Sequence, residues 1–364
     1  MTREILTKPE SAENVGCLTR AEILQQPELW PDTFDRVARS IKRCDWFSPD
    51  LACVFTGAGS SAYAGAAIQA GFPAGAAIPT TDLLVDAQPP LRPDAVLVSV
   101  ARSGDSPESV AVVRRIQRLF PKVRHLAITC NAEGQLAKFP GVTAIILDPR
   151  TNDRSLAMTS SFSNLALAGM CLRHAGEIGA VLAKVCDRVT GRLAVLEEKA
   201  RTLAGGGVSR AVVLASAPMM GWAQEASLKM LEMNAGRAPV MAETHLGLRH
   251  GPMSFLRPDT LVLSVLSSDP LRRRYEDDLL VELHAKKLGR IIVIAPEGSS
   301  PPAFAEVVPA MAPELPDELR TPFEIVFPQL LAYHLSLQAG LNPDNPSPGG
   351  VINRVVQGVR IHES

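Results

Sequence analysis

The chain has 364 residues, of which 46% are apolar and 5% aromatic, and its formal net charge is −1. A chain of this length buries a large core and is expected to divide into two domains. The composition is that of an ordinary globular protein, without the basic excess that nucleic acids or anionic membranes attract. We therefore expect neither nucleic acid nor a membrane as a partner.

Localisation is predicted from three further features. The N-terminus has no apolar signal core, and no apolar stretch reads as long enough to span a bilayer. None of the cysteines forms a C-x-x-C pair, which is typical of reduced thiols in a protein core. These features predict a cytoplasmic protein. The six cysteines are Cys17, Cys44, Cys53, Cys130, Cys171 and Cys186.

Residues 1–45 are predicted to form a helical arm. From residue 51 onward, strand-like apolar runs alternate with helical segments, which predicts an α/β fold with a parallel sheet between two helical layers. The predicted strands are 51–56, 95–100, 125–129 and 143–147, and the predicted helices follow Ser60, Ser106 and about Ser155.

A glycine-rich stretch with the sequence AGGG at 204–207 predicts a domain boundary, and the alternation of strands and helices then restarts. Runs 211–215, 261–269 and 291–295 resemble earlier runs at a nearly constant offset of roughly 160 residues, which indicates a duplicated α/β unit. The predicted domains are 1–45, a helical arm; 46–203 and 204–340, two duplicated units; and 341–364, a C-terminal tail over the active site. The tail begins with a proline- and glycine-rich stretch, 342–350, interpreted either as a lid or as a connector. Pro328, inside an otherwise helical stretch, predicts a kink or a later helix start.

Two glycine–serine loops follow apolar runs in the first unit. Their sequences are GAGSS at 57–61 and RSGDSP at 102–107. A strand, a tight turn and the first turn of a helix direct backbone N–H groups and hydroxyls at one point, which suits a phosphate. Arg102 adds a cation. The SSD sequence at 267–269 in the second unit is interpreted as a helix N-cap.

Glu225, Lys229 and Glu232 have the spacing that places side chains on one helix face. They read either as a solvated salt-bridge ladder or as a general base, Glu232, tuned by its two neighbours. His250, in the GLRHGP segment 247–252, reads either as a functional residue or as a side chain that caps a turn.

Other chemistries fit the sequence less well. Glu243, His245 and His250 lie close in sequence but lack zinc-site spacing, so we expect no metal and no cofactor. The G-x-S-x-G turn of hydrolases is missing, and a dinucleotide-binding G-x-G-x-x-G motif would have Ala62 in its third glycine position.

Taken together, these motifs resemble the sugar isomerase (SIS) domain family. More narrowly, they resemble the AgaS group of galactosamine-6-phosphate deaminase/isomerases, also labelled tagatose-6-phosphate ketose/aldose isomerases. The similarity covers nearly the whole chain, and the last segment is its most specific part. The matching segments are 55–61, 79–83, 102–109, 128–131, 157–161, 247–252 and 351–359.

The resemblance implies a role for each site residue. Glu232 would move a proton between C1 and C2 of the sugar, with Lys229 and Glu225 in support. His250 would open the sugar ring from a neighbouring subunit, which implies a homodimer or higher oligomer with a shared site. The implied substrate- and phosphate-binding residues are Gly59, Ser60, Ser61, Arg102, Ser103, Ser106, Thr159, Ser160 and Gln357.

Three departures from the related glucosamine-6-phosphate synthases refine the prediction. Ala101 replaces a serine, Gln357 replaces a lysine that forms an imine, and no N-terminal cysteine or glutaminase domain is expected. These departures favour conversion of galactosamine 6-phosphate to tagatose 6-phosphate and ammonia. The alternatives are an aldose–ketose isomerase without deamination, a glucosamine-6-phosphate deaminase, a deglycase acting on sugar–amino-acid adducts, and a non-catalytic sugar-phosphate-binding regulator.

Overall fold

The computed structural model of the protein describes residues 15–86, 88–347, 349–356 and 358–362. In this part of the chain the strands are β1 (Cys53–Thr56), β2 (Ala76–Ala77), β3 (Val96–Ala101), β4 (Arg124–Thr129), β5 (Val142–Ile146), β6 (Ala211–Ala215), β7 (Val240–Thr244), β8 (Leu261–Val265), β9 (Arg290–Ala295) and β10 (Glu306–Pro309). The helices are α1 (Cys17–Leu24), α2 (Gln26–Ile41), α3 (Ser60–Gln69), α4 (Thr80–Val85), α5 (Pro107–Leu119), α6 (Gln135–Lys138), α7 (Ser160–Gly205), α8 (Met220–Met233), α9 (Pro270–Ala285), α10 (Thr321–Glu324) and α11 (Val326–Gln338).

The strands form two five-stranded sheets with the same topology. The first has the order β2-β1-β3-β4-β5, and the second has the order β7-β6-β8-β9-β10 when read from β7. Each pair of neighbouring strands is parallel. Strand by strand, β6 to β10 repeat β1 to β5. The predicted α/β fold, with two duplicated three-layer units, is therefore confirmed.

Alternating side chains of each strand pack on opposite faces of its sheet. In β1, Phe55 joins a core shared by both sheets, whereas Val54 packs towards α4 and α5. In β6, Val213 joins the same shared core, whereas Val212 packs towards α9. The two sheets thus bury their inner faces on one common cluster that includes side chains of α3, α7, α8 and α11.

The longest element is α7, whose backbone leaves helical geometry at His174 (φ −108°, ψ 27°). Among the described residues, α7 is the one helix that is long and apolar enough to cross a membrane. However, 56% of its most apolar stretch of 18 residues is buried inside the fold. The expectation that no apolar stretch has the required length was therefore wrong. Burial of this helix between the sheets gives the apolar composition an ordinary reason.

The N-terminal helices are attached to the rest of the fold. Trp30 of α2 is fully buried, with its ring centroid 5.0 Å from that of Phe323. The tail reaches the start of α1, where Asp344 accepts hydrogen bonds from the backbone N–H groups of Leu18 (3.2 Å) and Thr19 (2.7 Å). A carboxylate at this end stabilises a helix because it complements the unpaired N–H groups. The predicted division at residues 45, 203 and 340 stays a prediction.

Several local predictions can be compared directly with the structure. Asp269 caps α9 through the N–H groups of Leu271 and Arg272, as predicted for the SSD segment. Pro328 lies in the first turn of α11, so the helix starts late and is not kinked there. Five of the six cysteines are buried free thiols, but Cys17 is exposed, which corrects its assignment to the core.

Candidate active site

The strand order of the first sheet reverses between β1 and β3, which lie side by side in its middle. In open parallel sheets, ligands bind at such a switch point, beyond the carboxyl ends of the strands. The two glycine–serine loops predicted to bind phosphate follow β1 and β3. The fold therefore places both loops at the position where a ligand is expected.

The loop after β1 is a tight turn. Gly59 has φ 57°, a left-handed conformation that side chains disfavour, and α3 begins directly after it at Ser60. A Cβ on Gly57 would lie 2.6 Å from the backbone of Ser61, so this position has no room for a side chain. Ser60 and Ser61 are buried in the first turn of α3, where backbone N–H groups favour an anion.

Side chains at the end of β4 and just after it hold the loop after β3 in place. The side-chain amide of Asn131 donates to the Ser103 carbonyl (2.9 Å), and the Thr129 hydroxyl donates to the Arg102 carbonyl (3.4 Å). The Ser106 hydroxyl donates to Glu108 (2.7 Å) at the start of α5. The loop is thus ordered by its surroundings.

The guanidinium of Arg102 is almost completely buried and donates to the carbonyls of Ser155 (3.4 Å), Leu156 (3.1 Å) and Arg354 (2.5 Å). Burial lowers the pKa of Arg102, and the positive charge of Arg354 lowers it further, whereas Asp153 and Glu232 oppose the change. Arg102 therefore lies at the centre of the site, within electrostatic reach of Glu232.

Segment 152–159 connects Arg102 with the rest of the site. Asp153 is buried and accepts from the N–H groups of Thr159 and Ser161, both at 2.8 Å. Glu22 of α1 accepts from the N–H of Arg154 (2.5 Å), and burial raises the pKa of Glu22 to about 7.

Two residues of this region were predicted to bind the substrate. Thr159 is fully buried, and its hydroxyl has no hydrogen-bond partner in the described part of the chain. The Ser160 hydroxyl accepts from the Gln25 side chain (3.3 Å), so it faces α2. Gln357, the third predicted residue outside the serine loops, lies outside the described residues.

The carboxylates and the lysine of α8 form a chain of charges. Lys229 Nζ lies 2.5 Å from Oε2 of Glu232 and 3.5 Å from Oε1 of Glu225. The side chains of Lys229 and Glu225 are fully buried, whereas that of Glu232 is 25% exposed. The alternative of a solvated salt-bridge ladder is therefore wrong for these two residues. Glu232 is the member of the group that an outside molecule can reach.

Burial sets the charges of this group. It raises the pKa of Glu225 to about 8, an effect that Lys229 opposes and Glu232 reinforces. Burial alone would lower the pKa of Lys229, but the charges of Glu225 and Glu232 outweigh it and raise that pKa. At neutral pH, Lys229 is thus a cation held against the Glu232 carboxylate.

Close helix packing brings Glu232 to the serine loops. A Cβ on Gly221 of α8 would lie 2.6 Å from the backbone nitrogen of Ala67 in α3. The first turn of α3 carries Ser60 and Ser61. The charges of Glu225 and Glu232 also act on the pKa of Tyr63 in α3, which burial raises. The two helices therefore set the distance between the base and the phosphate loop.

The two histidines after β7 have different surroundings. His245 is buried, with Nε2 2.8 Å from the Ser264 hydroxyl, and burial lowers its pKa to about 3. His250 is exposed and has no hydrogen-bond partner within the described ranges, so it does not cap a turn. No metal-binding group of histidine, cysteine or carboxylate side chains occurs among the described residues.

The matching loop of the second sheet is filled by the chain itself. Asp317 is buried, and its Oδ1 accepts from the Ser268 N–H (2.9 Å), the Ser268 hydroxyl (3.0 Å) and Arg320 (3.2 Å). Its Oδ2 accepts from the Ser267 hydroxyl. A carboxylate takes the donors that the first unit leaves for a ligand. This is the physical difference between the two duplicated loops.

A separate cavity of about 440 Å³ lies at the other edge of the first sheet. Trp46, Leu51, Pro93, Lys122 and Arg124 are among its lining residues, and they precede or begin β1, β3 and β4. It opens at the amino ends of the strands, away from the loops described above.

Sequence reasoning assigned no role to Arg354, Asp153 or Glu22, although all three organise the Arg102 region. Arg354 could have been noticed as a cation inside the apolar segment 351–359. Asp153 and Glu22 gave no comparable signal, because their function depends on partners far away in the sequence.

Comparison with known proteins identifies the class. The crystal structure of tagatose-6-phosphate ketose/aldose isomerase from Escherichia coli matches with a TM-score of 0.84 and 30% identity, over 98% of this chain and 100% of that one. The fold is that of the sugar isomerase domain enzymes. No protein-family model matches the chain.

Curated relatives narrow this class. The D-galactosamine-6-phosphate deaminase AgaS of Shewanella sp. (strain ANA-3) is 35% identical over 98% of this chain and 95% of its own length. The AgaS deaminase of Escherichia coli O157:H7 is 33% identical over 97% of both chains. The chain belongs to the AgaS family.

Proposed function

We propose that the protein is an amino-sugar phosphate deaminase/isomerase that converts galactosamine 6-phosphate and water to tagatose 6-phosphate and ammonia. The observation that carries this proposal is the position of Glu232. Its partly exposed carboxylate is ion-paired to buried Lys229 and lies beside two loops of the kind that bind phosphate. The substrate is taken from the names of the AgaS relatives. The setting proposed is the cytoplasm, with no cofactor and with neither a nucleic acid nor a membrane as partner.

The phosphate is the anchor of the substrate. Ser61 in the first turn of α3 and Arg102, Ser103 and Ser106 after β3 surround it with hydroxyls, N–H groups and a cation, and Gly59 and Ser60 shape the turn. Thr159, Ser160 and Gln357 complete the proposed binding set. His250 of a neighbouring subunit passes a proton to the ring oxygen, which opens the sugar.

Glu232 then performs the proton transfer. It removes the proton from C2 of the open-chain amino aldose and returns it to C1, while O1 gains a proton and the amine nitrogen loses one, which leaves a hydroxyl at C1 and an imine at C2. Water adds to this imine, and ammonia leaves as the C2 carbonyl of the ketose forms. A positioned acid–base group contributes about 10²- to 10⁴-fold, so orientation by the phosphate anchor supplies much of the remaining acceleration.

The environment of Lys229 argues against an enzyme imine. Its amino group is fully buried between two carboxylates that raise its pKa, so it is a poor nucleophile. In the proposed reaction no lysine imine is needed, because the C1 aldehyde of the substrate accepts the electrons when C2 loses its proton, and the nitrogen lone pair forms the C2 imine when C1 is protonated. Lys229 and Glu225 act as positioning residues for Glu232.

The direct test is ammonia release by the purified protein from galactosamine 6-phosphate, with glucosamine 6-phosphate and tagatose 6-phosphate run alongside. Ammonia from the galacto epimer and little from the gluco epimer supports the proposal. Interconversion of tagatose 6-phosphate with its aldose, without ammonia, favours the second candidate, which the name of the E. coli structure suggests. Binding without turnover of any of the three compounds would point to a regulator.

Glu232→Gln tests the base. We expect turnover to be abolished while substrate binding persists, because the amide keeps the shape but cannot accept the C2 proton. Glu198→Gln, at an exposed ion pair on α7, is the matched control and should keep full activity. More than a tenth of the wild-type rate in Glu232→Gln would refute the assignment.

A further inference from the structure

Two arginines from distant parts of the sequence meet beside the loop after β3. We propose that Arg354 is a second cation of the phosphate site and that the C-terminal tail holds it there. This inference rests on the proposed phosphosugar substrate and assigns Arg354 a binding role that complements that of Arg102.

Hydrogen bonds fix the tail at two points, first at Asp344 and then at Arg354 itself. At its start, Asp344 binds the N–H groups of α1, and its carbonyl accepts from the N–H of Leu156 (3.0 Å). Ten positions later, Arg354 contacts segment 152–153. Both contacts fall on or beside the segment whose carbonyls bind Arg102. These contacts at two points therefore fix the path of the tail across the site.

Arg354 is oriented by polar contacts but is not neutralised by them. Its Nε donates to the Asp153 carbonyl (2.7 Å), and its Nη2 donates to Oδ1 of Asn152 (2.6 Å). Its own carbonyl accepts from Nη2 of Arg102 (2.5 Å). All the acceptors are uncharged. Within the described ranges Nη1 of Arg354 has no hydrogen-bond partner, which leaves it available to a ligand.

The charges at this position are unbalanced. In the described part of the chain, neither Arg102 nor Arg354 has a carboxylate within ion-pair distance, whereas about half of the other arginines there have one. The positive charge of Arg354 also adds to burial in lowering the pKa of Arg102. Two neighbouring guanidiniums repel each other unless an anion lies between them. A phosphate monoester, with nearly two negative charges and three acceptor oxygens, fits this need.

The proposal predicts that charge at position 354 controls phosphate affinity. Arg354→Gln should weaken binding of inorganic phosphate, measured by titration calorimetry, by about 10- to 100-fold, as expected for a lost charge-assisted contact. Arg354→Lys keeps the charge but cannot reproduce the hydrogen bonds that the guanidinium donates to both Asn152 and Asp153. It should retain affinity within about fivefold of the wild type. Arg360→Gln, on the same tail and exposed, is the control and should change nothing.

The same variants separate a binding role from a purely structural one. For galactosamine 6-phosphate, the loss in Arg354→Gln should appear mainly in KM, and unphosphorylated galactosamine should bind the variant and the wild type equally weakly. Phosphate affinity of the wild type should fall more steeply with added salt than that of Arg354→Gln, because one charge fewer is screened. Melting temperatures within a few degrees of the wild type exclude misfolding.

Two results would overturn the inference. One is phosphate affinity in Arg354→Gln within twofold of the wild type. The other is equal loss in Arg354→Lys and Arg354→Gln, which would mean that the tail anchor matters and the charge does not. Phosphate binding is measured without turnover, so its loss in Arg354→Gln supports the cation role even where the wild type releases no ammonia. In that case the proposed reaction alone fails.

Discussion

Lys229 has the most demanding environment of any charged residue in α8. Its side chain is fully buried, with Glu232 at 2.5 Å and Glu225 at 3.5 Å from its amino group. Because the pKa of Glu225 is about 8, Glu225 holds its proton at neutral pH, and the group then consists of one cation and one anion. The group thus avoids an excess of buried negative charge.

Lys229→Met is predicted to lower both stability and activity. Removing one partner of a buried ion pair typically costs about 3–5 kcal/mol, because the other charges stay buried without compensation. The raised pKa of Glu225 means that its contribution to stability is lost as pH rises from about 4.5 to its folded value near 8. Without Lys229 that folded value rises further, so the loss in the variant continues above pH 8.

Urea unfolding at pH 6 and pH 9 checks this prediction. The gap between wild type and Lys229→Met should be wider at pH 9. The control is Lys138→Met, which removes an ion pair with Glu133 on the surface and should leave the unfolding midpoint unchanged. An equal gap at both pH values would show that Glu225 does not titrate in this range.

At the scale of elements, we expect the contact between α3 and α8 to couple phosphate binding to proton transfer in the proposed reaction. Gly221 permits this contact, because a Cβ there would lie 2.6–2.8 Å from backbone atoms of Ala67 and Tyr63. These atoms belong to a helix backbone and cannot move aside singly. Any side chain at position 221 must therefore push the two helices apart.

Gly221→Ala is predicted to reduce kcat of the proposed reaction by about 100-fold, the usual effect of displacing a reacting group by about 1 Å. Phosphate affinity should change little, since both serine loops stay on the first sheet. Gly191→Ala is the control. It lies at an exposed position of α7 with nothing near the added methyl group, and it should stabilise the protein by about 0.5–1 kcal/mol. Wild-type kcat in Gly221→Ala would contradict the proposed coupling.

At the scale of the whole molecule, the duplicated architecture is used asymmetrically. The two sheets have the same strand order, but Asp317 occupies the donors of the second loop, whereas the first loop stays open to a ligand. The second unit contributes Glu232 instead, on the helix that follows β6. In the proposed reaction one unit thus binds the phosphate while the other supplies the base.

A shared site between subunits is the second whole-molecule prediction. His250 is exposed and has no polar partner among the described residues, as expected of a side chain that acts on another subunit. Glu232→Gln and His250→Gln, each inactive alone, should restore about a quarter of wild-type activity when co-expressed, because mixed dimers contain one intact site. Light scattering checks the assembly. No recovery in proven mixed oligomers would place His250 in its own subunit's site, or outside catalysis.

Buried histidines also make the fold sensitive to acid. Burial lowers the pKa of His125 to about 4, and both its ring nitrogens lack partners in the described part of the chain. The unfolded chain takes up this proton near pH 6.5, so the stability contributed by neutral His125 is present above that pH and falls as pH decreases towards 4. At pH 5 the loss amounts to about 2 kcal/mol.

His125→Leu is expected to reduce the difference in unfolding free energy between pH 7 and pH 5 by up to about 2 kcal/mol, measured by urea denaturation. The comparison with wild type isolates His125 from Glu22 and Glu225, whose raised pKa values act in the opposite direction. His362→Leu, at an exposed position, should leave the difference unchanged. An unchanged pH dependence in His125→Leu would show that the pKa of this ring is the same in the folded and the unfolded chain.

The sequence by itself determined the strand–helix alternation, the duplication, both glycine–serine loops and the spacing of Glu225, Lys229 and Glu232. These features depend on short-range periodicity and turn chemistry, which neighbouring residues encode. The later helix start, one of the two alternatives predicted from Pro328, also followed from local backbone constraints, since α11 begins two residues before this proline.

Only the tertiary structure decided which charges are buried and which residues meet. Spacing could not separate a solvated ladder from the buried Lys229 pair, since burial depends on α3 and on the core between the sheets. Arg354 acquires its position from Asp153, 201 residues away. Asp317 closes the second loop from 49 residues away. Partners at such separations leave no periodic pattern in the sequence, because chain folding alone brings them together.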